Sequence, residues 1–197
     1  MGDSPEVVNS KATLRTALLA GRSARPPAER AAAADALCAG LLAELAGIPV
    51  VAATVPLADE PGAGRLPAAL RPTVQRVLLP VVPATGRELL WSDDDGTLAE
   101  GRYGLLEPTG PRLPAETLAL ADVVVVPALA VAPDGTRLGR GGGYYDRALR
   151  HARPDAVLVA LVFDDELVPE LPAGQFDRPV SAVVTPSGGW QALGSTR

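Results

Sequence analysis

A chain of 197 residues with 47% hydrophobic and 21% charged side chains is the size of one domain and can bury about 70% of its unfolded surface, which excludes a disordered chain. Aromatic residues make up only 4%, so the core must be built from Ala, Val and Leu. A formal net charge of -5 excludes broad binding to nucleic acid or to an anionic membrane, and any anionic ligand must meet a local positive site. Lys11 is the only lysine among 18 basic residues, and Cys38, the only cysteine, has no internal disulfide partner. No Cys and His cluster has zinc spacing. The first ten residues lack the basic and apolar regions of a signal peptide, and no apolar run reaches bilayer length. The expectation is a cytoplasmic monomer with one domain spanning residues 1–197.

Asn9 or Ser10 can cap a first helix reaching about Leu19, before Gly21 and the Pro26-Pro27 pair interrupt the pattern. Pro27 then opens a second helix, with Leu37, Leu41, Leu42 and Leu45 at helical spacing, Cys38 as a small buried residue and Gly47 as the stop. Five β-branched runs follow, at 50–55, 76–82, 122–127, 156–163 and 180–185. Continuous apolar runs suit strands covered on both faces, as in the parallel sheet of an α/β protein, although Pro80 weakens the second. Residues 87–108 read as a hairpin or irregular excursion, with Asp93, Asp94, Asp95 and Gly96 as turn material.

The most informative stretch is VPALAVAPDGTRLGRGGGYYDRAL, from Val126 to Leu149. It leaves a buried strand, passes a turn, crosses Gly139, Gly141, Gly142 and Gly143, and enters a helix. Glycines let backbone approach a ligand closely, and a helix start offers N–H groups to an anion. Arg137, Arg140 and Arg147 flank the loop with mobile positive charge. Glycines alone are equally consistent with a surface turn. Walker A and early Rossmann patterns are absent. Tyr144, Tyr145 and Asp146 add a stacking surface, a hydroxyl donor and a hard oxygen ligand.

The whole string resembles the signature of the 5-formyltetrahydrofolate cyclo-ligase family. KATLR at 11–15, VPLADE at 55–60, YGLLEP at 103–108 and FDRPVSAVVT at 176–185 resemble its other landmarks, in the family's order. The resemblance implies a three-layer α/β/α fold with a mostly parallel central sheet, related to the sugar-phosphate isomerase and CoA-transferase group. It implies ATP as co-substrate and 5-formyltetrahydrofolate as substrate. Lys11, Arg15 and the loop Arg137, Leu138, Gly139, Arg140, Gly141, Gly142, Gly143, Tyr144 and Tyr145 are the implied ATP contacts. Val55, Glu60, Tyr103 and the segment from Arg140 to Tyr144 are implied for the folate, and Asp146 and Asp177 for Mg2+. Arg140, Tyr145 and Asp146 are the implied catalytic residues. Arg22 has the spacing to join Lys11 and Arg15 on one helix side, with Gly21 intervening. His151 is expected to be solvated, and Asp164, Asp165 and Glu166 to lie near the site without a matched role. Asp146, at a loop-to-helix junction, is expected to be dispensable for folding.

The chain departs from the family pattern at four places. Gly142 stands where many relatives have lysine, Phe176 where histidine is common and Glu166 where glutamine is common, while PGAGRL after Glu60 differs on the folate side. Fold kinship also admits a sugar-phosphate isomerase, which needs a proton-abstracting base and no ATP, or a nonenzymatic nucleotide- or folate-binding module.

Overall fold

The computed structural model describes residues 5–172 and 178–194. Helix α1, Pro5–Ala24, extends past the expected limits at both ends and runs through Gly21. A Cβ built on Gly21 would meet nothing within 4 Å, so the glycine faces open space and costs about 1 kcal/mol of helix propensity without disturbing packing. Helix α2, Pro27–Ala43, begins with proline at its first turn, where the missing N–H is not needed. It buries Leu37, Cys38 and Leu41 on one face, and the chain turns at Gly47 with φ of +80°. Burial pushes the Cys38 thiol up to about 11, leaving it an inert core residue.

The strands then follow in order: β1 Val50–Ala52, β2 Arg76–Val81, β3 Leu90–Asp93, β4 Leu98–Glu100, β5 Leu106–Pro108, β6 Val123–Pro127, β7 Ala130–Val131 and β8 Arg137–Leu138. A short helix α3, Tyr144–Ala148, precedes β9 Val157–Leu161, β10 Ala182–Thr185 and β11 Gly189–Ala192. The main sheet has the order β11-β10-β9-β6-β1-β2-β3. Strands β1, β2, β6, β9 and β10 run parallel, with β3 and β11 antiparallel at the two edges. Strands β4 with β5 and β7 with β8 form separate ribbons.

The pleat sends Val51, Val77, Val123, Val125 and Val159 to one face, where α2 and residues 61–74 cover them. Ala52, Leu78, Val124, Val126 and Leu158 face the other side, beneath the 3-10 turn Ala115–Leu120, α3 and the turn Leu149–His151. Both faces are buried, which is why the strand sequences are continuously apolar. Pro80 is accommodated because its partner Trp91 turns its backbone polar groups toward Leu113, and because the β1 pairing ends at Ala52 opposite Leu78. The absent N–H therefore falls where no strand needs it.

The expected hairpin at 87–108 supplies β3, β4 and β5, and Asp94 and Asp95 hold the turn by accepting from the N–H groups of Gly96 and Thr97. Among the described residues no helix is long and apolar enough to cross a membrane. Leu37 is fully buried between α2 and the sheet. Leu37→Ala should lower unfolding free energy by about 2–5 kcal/mol, measured by urea denaturation.

Candidate active site

Paired strands β1 and β6 send their continuing chains in opposite directions, β1 toward β2 and β6 toward β9. Such a reversal opens a crevice at the carboxyl ends of a parallel sheet. A cleft of about 440 Å³ lies there, lined by Thr54 and Val55 after β1, Pro80 and Val82 of the β2 end, and Pro127 and Ala128 of the β6 end. Helix α1 contributes Lys11 and Arg15, the β4–β5 connection contributes Tyr103, and the glycine loop contributes Arg137 through Asp146. Glu60 completes this wall. The structure thus brings the expected site residues into one cleft, except Asp177, which lies outside the described residues.

Local backbone geometry explains how the loop meets α1. Gly141 has φ of +94°, and a Cβ there would come within 3.4 Å of the Arg15 guanidinium. The bare backbone lets Arg15 reach in and donate from Nε to the Gly139 carbonyl at 2.9 Å. Gly143, with φ of +70°, opens α3, which is only five residues long and gives way at once to a 3-10 turn.

Two expectations about charge are corrected. Arg137 is not mobile: its side chain is 4% exposed and pairs with Asp146 at 2.5 Å. Asp146 consequently carries a structural contact as well: Asp146→Ala is expected to destabilise the fold, by about 1–3 kcal/mol, because it leaves the buried Arg137 guanidinium without this partner. Arg140 does stand at the surface, where its Nε donates to Glu60 at 2.7 Å and its Nη2 to Asp59 at 3.1 Å. Glu60 also accepts the Leu57 N–H at 2.9 Å, which fixes its carboxylate at the strand end.

Three groups in the cleft stand out for their polar surroundings. Arg137 Nε is buried with no hydrogen-bond partner among the described residues, and so is the Tyr145 hydroxyl, which sits beside Thr54 outside bonding geometry. Burial pushes the Tyr145 phenol above its ordinary range, so it stays a proton donor through neutral pH. The Tyr144 phenol is raised too, chiefly by the neighbouring Tyr103 hydroxyl. Tyr103 is 73% exposed and has φ of +59°, a left-handed conformation that is rare for a non-glycine residue and recurs at functional sites.

Glu107 and Arg87 escaped the sequence reading. Glu107 is a buried carboxylate on the cleft wall that accepts the Val82 N–H at 2.9 Å, and Arg87 donates to the Gly142 carbonyl at 3.4 Å. Only the acid in the apolar run LLEP hinted at the first. His151 lies outside the cleft and pairs with Glu88 at 2.8 Å. Asp165 and Glu166 pair with Arg25 and Arg22 rather than lining the cleft.

A cleft at the switch point of a parallel sheet, with buried donors unpaired among the described residues, defines a protein that binds small molecules. Residues 7–186 match the model of the 5-formyltetrahydrofolate cyclo-ligase family. The 5-formyltetrahydrofolate cyclo-ligase of Mycolicibacterium smegmatis is 46% identical over 189 residues, covering 93% of this chain and 97% of that protein. The Escherichia coli K12 protein of the same name is 37% identical over 123 residues, 59% of this chain and 66% of its own. The solution structure of Aquifex aeolicus 5,10-methenyltetrahydrofolate synthetase superposes with a TM-score of 0.72 at 26% identity, covering 95% of this chain and 94% of that one. The Mycoplasma pneumoniae synthetase shares the fold at a TM-score of 0.68 and 20% identity, over 88% of this chain and 96% of that one. The chain belongs to the 5-formyltetrahydrofolate cyclo-ligase family. It is a ligase, and the isomerase and nonenzymatic alternatives give way to that class.

Tyr145→Phe removes a hydroxyl that has no partner in hydrogen-bond geometry among the described residues. Thermal stability should hold or rise, by up to about 1 kcal/mol, while turnover falls if the hydroxyl serves the reaction. Melting curves and initial rates on the same preparation separate the two effects.

Proposed function

We propose that the protein uses ATP to cyclise 5-formyltetrahydrofolate to 5,10-methenyltetrahydrofolate, releasing ADP and phosphate. The observation that carries this reading is the pair of buried donors in the cleft, Arg137 Nε and the Tyr145 hydroxyl, neither of which has an acceptor among the described residues. A phosphoryl group supplies acceptors for both.

The chemistry follows from the substrate. An amide-like formyl oxygen is a poor leaving group until it is phosphorylated. That oxygen attacks the γ-phosphorus and ADP departs. N10 of the substrate then adds to the activated carbon and loses its proton, and phosphate leaves as the methenyl bridge closes. No side-chain nucleophile is needed, and the protein's work is alignment and charge neutralisation.

Lys11, Arg15 and the loop from Arg137 to Tyr145 hold ATP in this reading. Val55, Glu60, Tyr103 and the segment from Arg140 to Tyr144 face the folate. In the free protein Arg140 and Glu60 satisfy each other. Phosphate takes over the guanidinium as ATP binds, which leaves the carboxylate for the donor edge of the pterin. Tyr145, neutral and buried, donates to the transferring phosphoryl oxygens.

Asp146 fits a magnesium site of the phosphate-bound kind, because such an ion takes only one or two protein carboxylates and fills its other positions with phosphate and water. Its side chain is one-third exposed on the cleft wall, and its Oδ1 receives Arg137. The second proposed ligand is Asp177. When bound, magnesium would neutralise charge on the β- and γ-phosphates.

Purified protein mixed with ATP, magnesium and 5-formyltetrahydrofolate should develop methenyl absorbance with equimolar phosphate release. Omission of either substrate should abolish both signals, and persistence of the absorbance without ATP would refute the reading. Asp146→Asn, which keeps an acceptor for Arg137, should fold and lose at least about tenfold in kcat at fixed magnesium. Unchanged kcat in that folded variant would remove Asp146 from the metal site.

A further inference from the structure

Helix α1 reaches the cleft without a continuous apolar face. At 100° per residue, Lys11, Arg15 and Arg22 fall within about 40° of one line. Lys11 and Arg22 are buried, while Leu14, Leu18 and Leu19 on the same side are only half-buried. Helix α1 is thus seated by a basic stripe, with roughly 16 Å of axis between its two buried members.

The far end of that stripe is an anchor of unusual completeness. The Arg22 side chain is 1% exposed and forks across Glu166, with Nε to Oε1 at 2.6 Å and Nη2 to Oε2 at 2.8 Å. Nη2 also donates to the Ala128 carbonyl at 2.7 Å. Glu166, itself 3% exposed, accepts the Phe163 N–H at 3.0 Å. Ala128 is a wall residue of the cleft, so the anchor and the site share one piece of backbone. Arg25, one turn on, stacks 4.2 Å over the Phe163 ring and pairs with Asp165.

A buried ion pair contributes little net stability, because desolvation offsets its attraction. Its fork geometry does something an apolar seat cannot, since two parallel N–H bonds admit one orientation and one axial position. We propose that Arg22 and Glu166 are positioning residues for the nucleotide half of the site: they set the rotation and axial position of α1, and so the placement of Lys11 and Arg15. The inference rests on the reading of those two residues as ATP phosphate contacts.

Steady-state kinetics on Arg22→Lys, Arg22→Met and the double variant Arg22→Met/Glu166→Met test it. Arg22→Lys keeps the charge but cannot fork across both carboxylate oxygens. The expected result is a KM for ATP raised about tenfold or more in all three. The KM for 5-formyltetrahydrofolate, and kcat at saturating ATP, should stay within about twofold. The double variant replaces the ion pair with an apolar contact and should melt at or above Arg22→Met. Its KM for ATP should nevertheless remain high. A double variant with restored ATP affinity would show that any docking contact suffices, and would overturn the inference. So would a folded Arg22→Lys with wild-type KM for ATP, or parallel losses in kcat and both KM values. If Arg22→Met fails to fold, the other two variants decide. Wild-type turnover without ATP would instead bring down the nucleotide reading, and this inference with it.

Discussion

Everything in the site depends on the parallel strands β1 and β6 sending their connections to opposite sides of the sheet. Two strands that pair side by side along their length must part at their carboxyl ends, since one feeds β2 and the other feeds β9. The gap cannot be closed by the sheet itself. Segments arriving from elsewhere fill its rim: a helix from the amino terminus, a glycine loop from after β8, and a ribbon tip carrying Tyr103. Because the sheet is buried on both faces, its own side chains are committed to packing and the rim alone is available for chemistry.

The rim and the elements behind it are organised by charge pairing. Arg140 with Glu60, Arg137 with Asp146 and Arg22 with Glu166 each join segments distant in sequence or on opposite sides of the loop. Pairing of Arg140 and Arg137 with carboxylates lets a chain of net charge -5 gather guanidinium groups at one cleft without their mutual repulsion dominating. The pairs differ in accessibility. Arg140 is 38% exposed and its pairing is readily exchanged for a ligand, whereas Arg22 is sealed and serves as a fixed point.

The parallel strands were legible because two-sided burial writes itself as unbroken Val and Leu runs, and α2 because proline opens it and leucines repeat at helical spacing. The edge strands were not legible in the same way. In β11, Trp190 is the one large apolar residue and it is only half-buried, while β3 borrows its place from pairing with β2. The glycine loop and its neighbours were legible through a resemblance, in which residue order carried more than composition. Ion pairs were beyond reach: Arg22 and Glu166 are 144 positions apart, and nothing local marks either as buried. The contact that ties Asp146 to Arg137 was hidden for the same reason.

The near-absence of lysine has a practical side. Apart from the amino terminus, the molecule carries one aliphatic amine, on Lys11, buried at the rim of the cleft. Amine-directed chemistry, which on most proteins scatters over the whole surface, here has a single internal address, at the rim of the cleft.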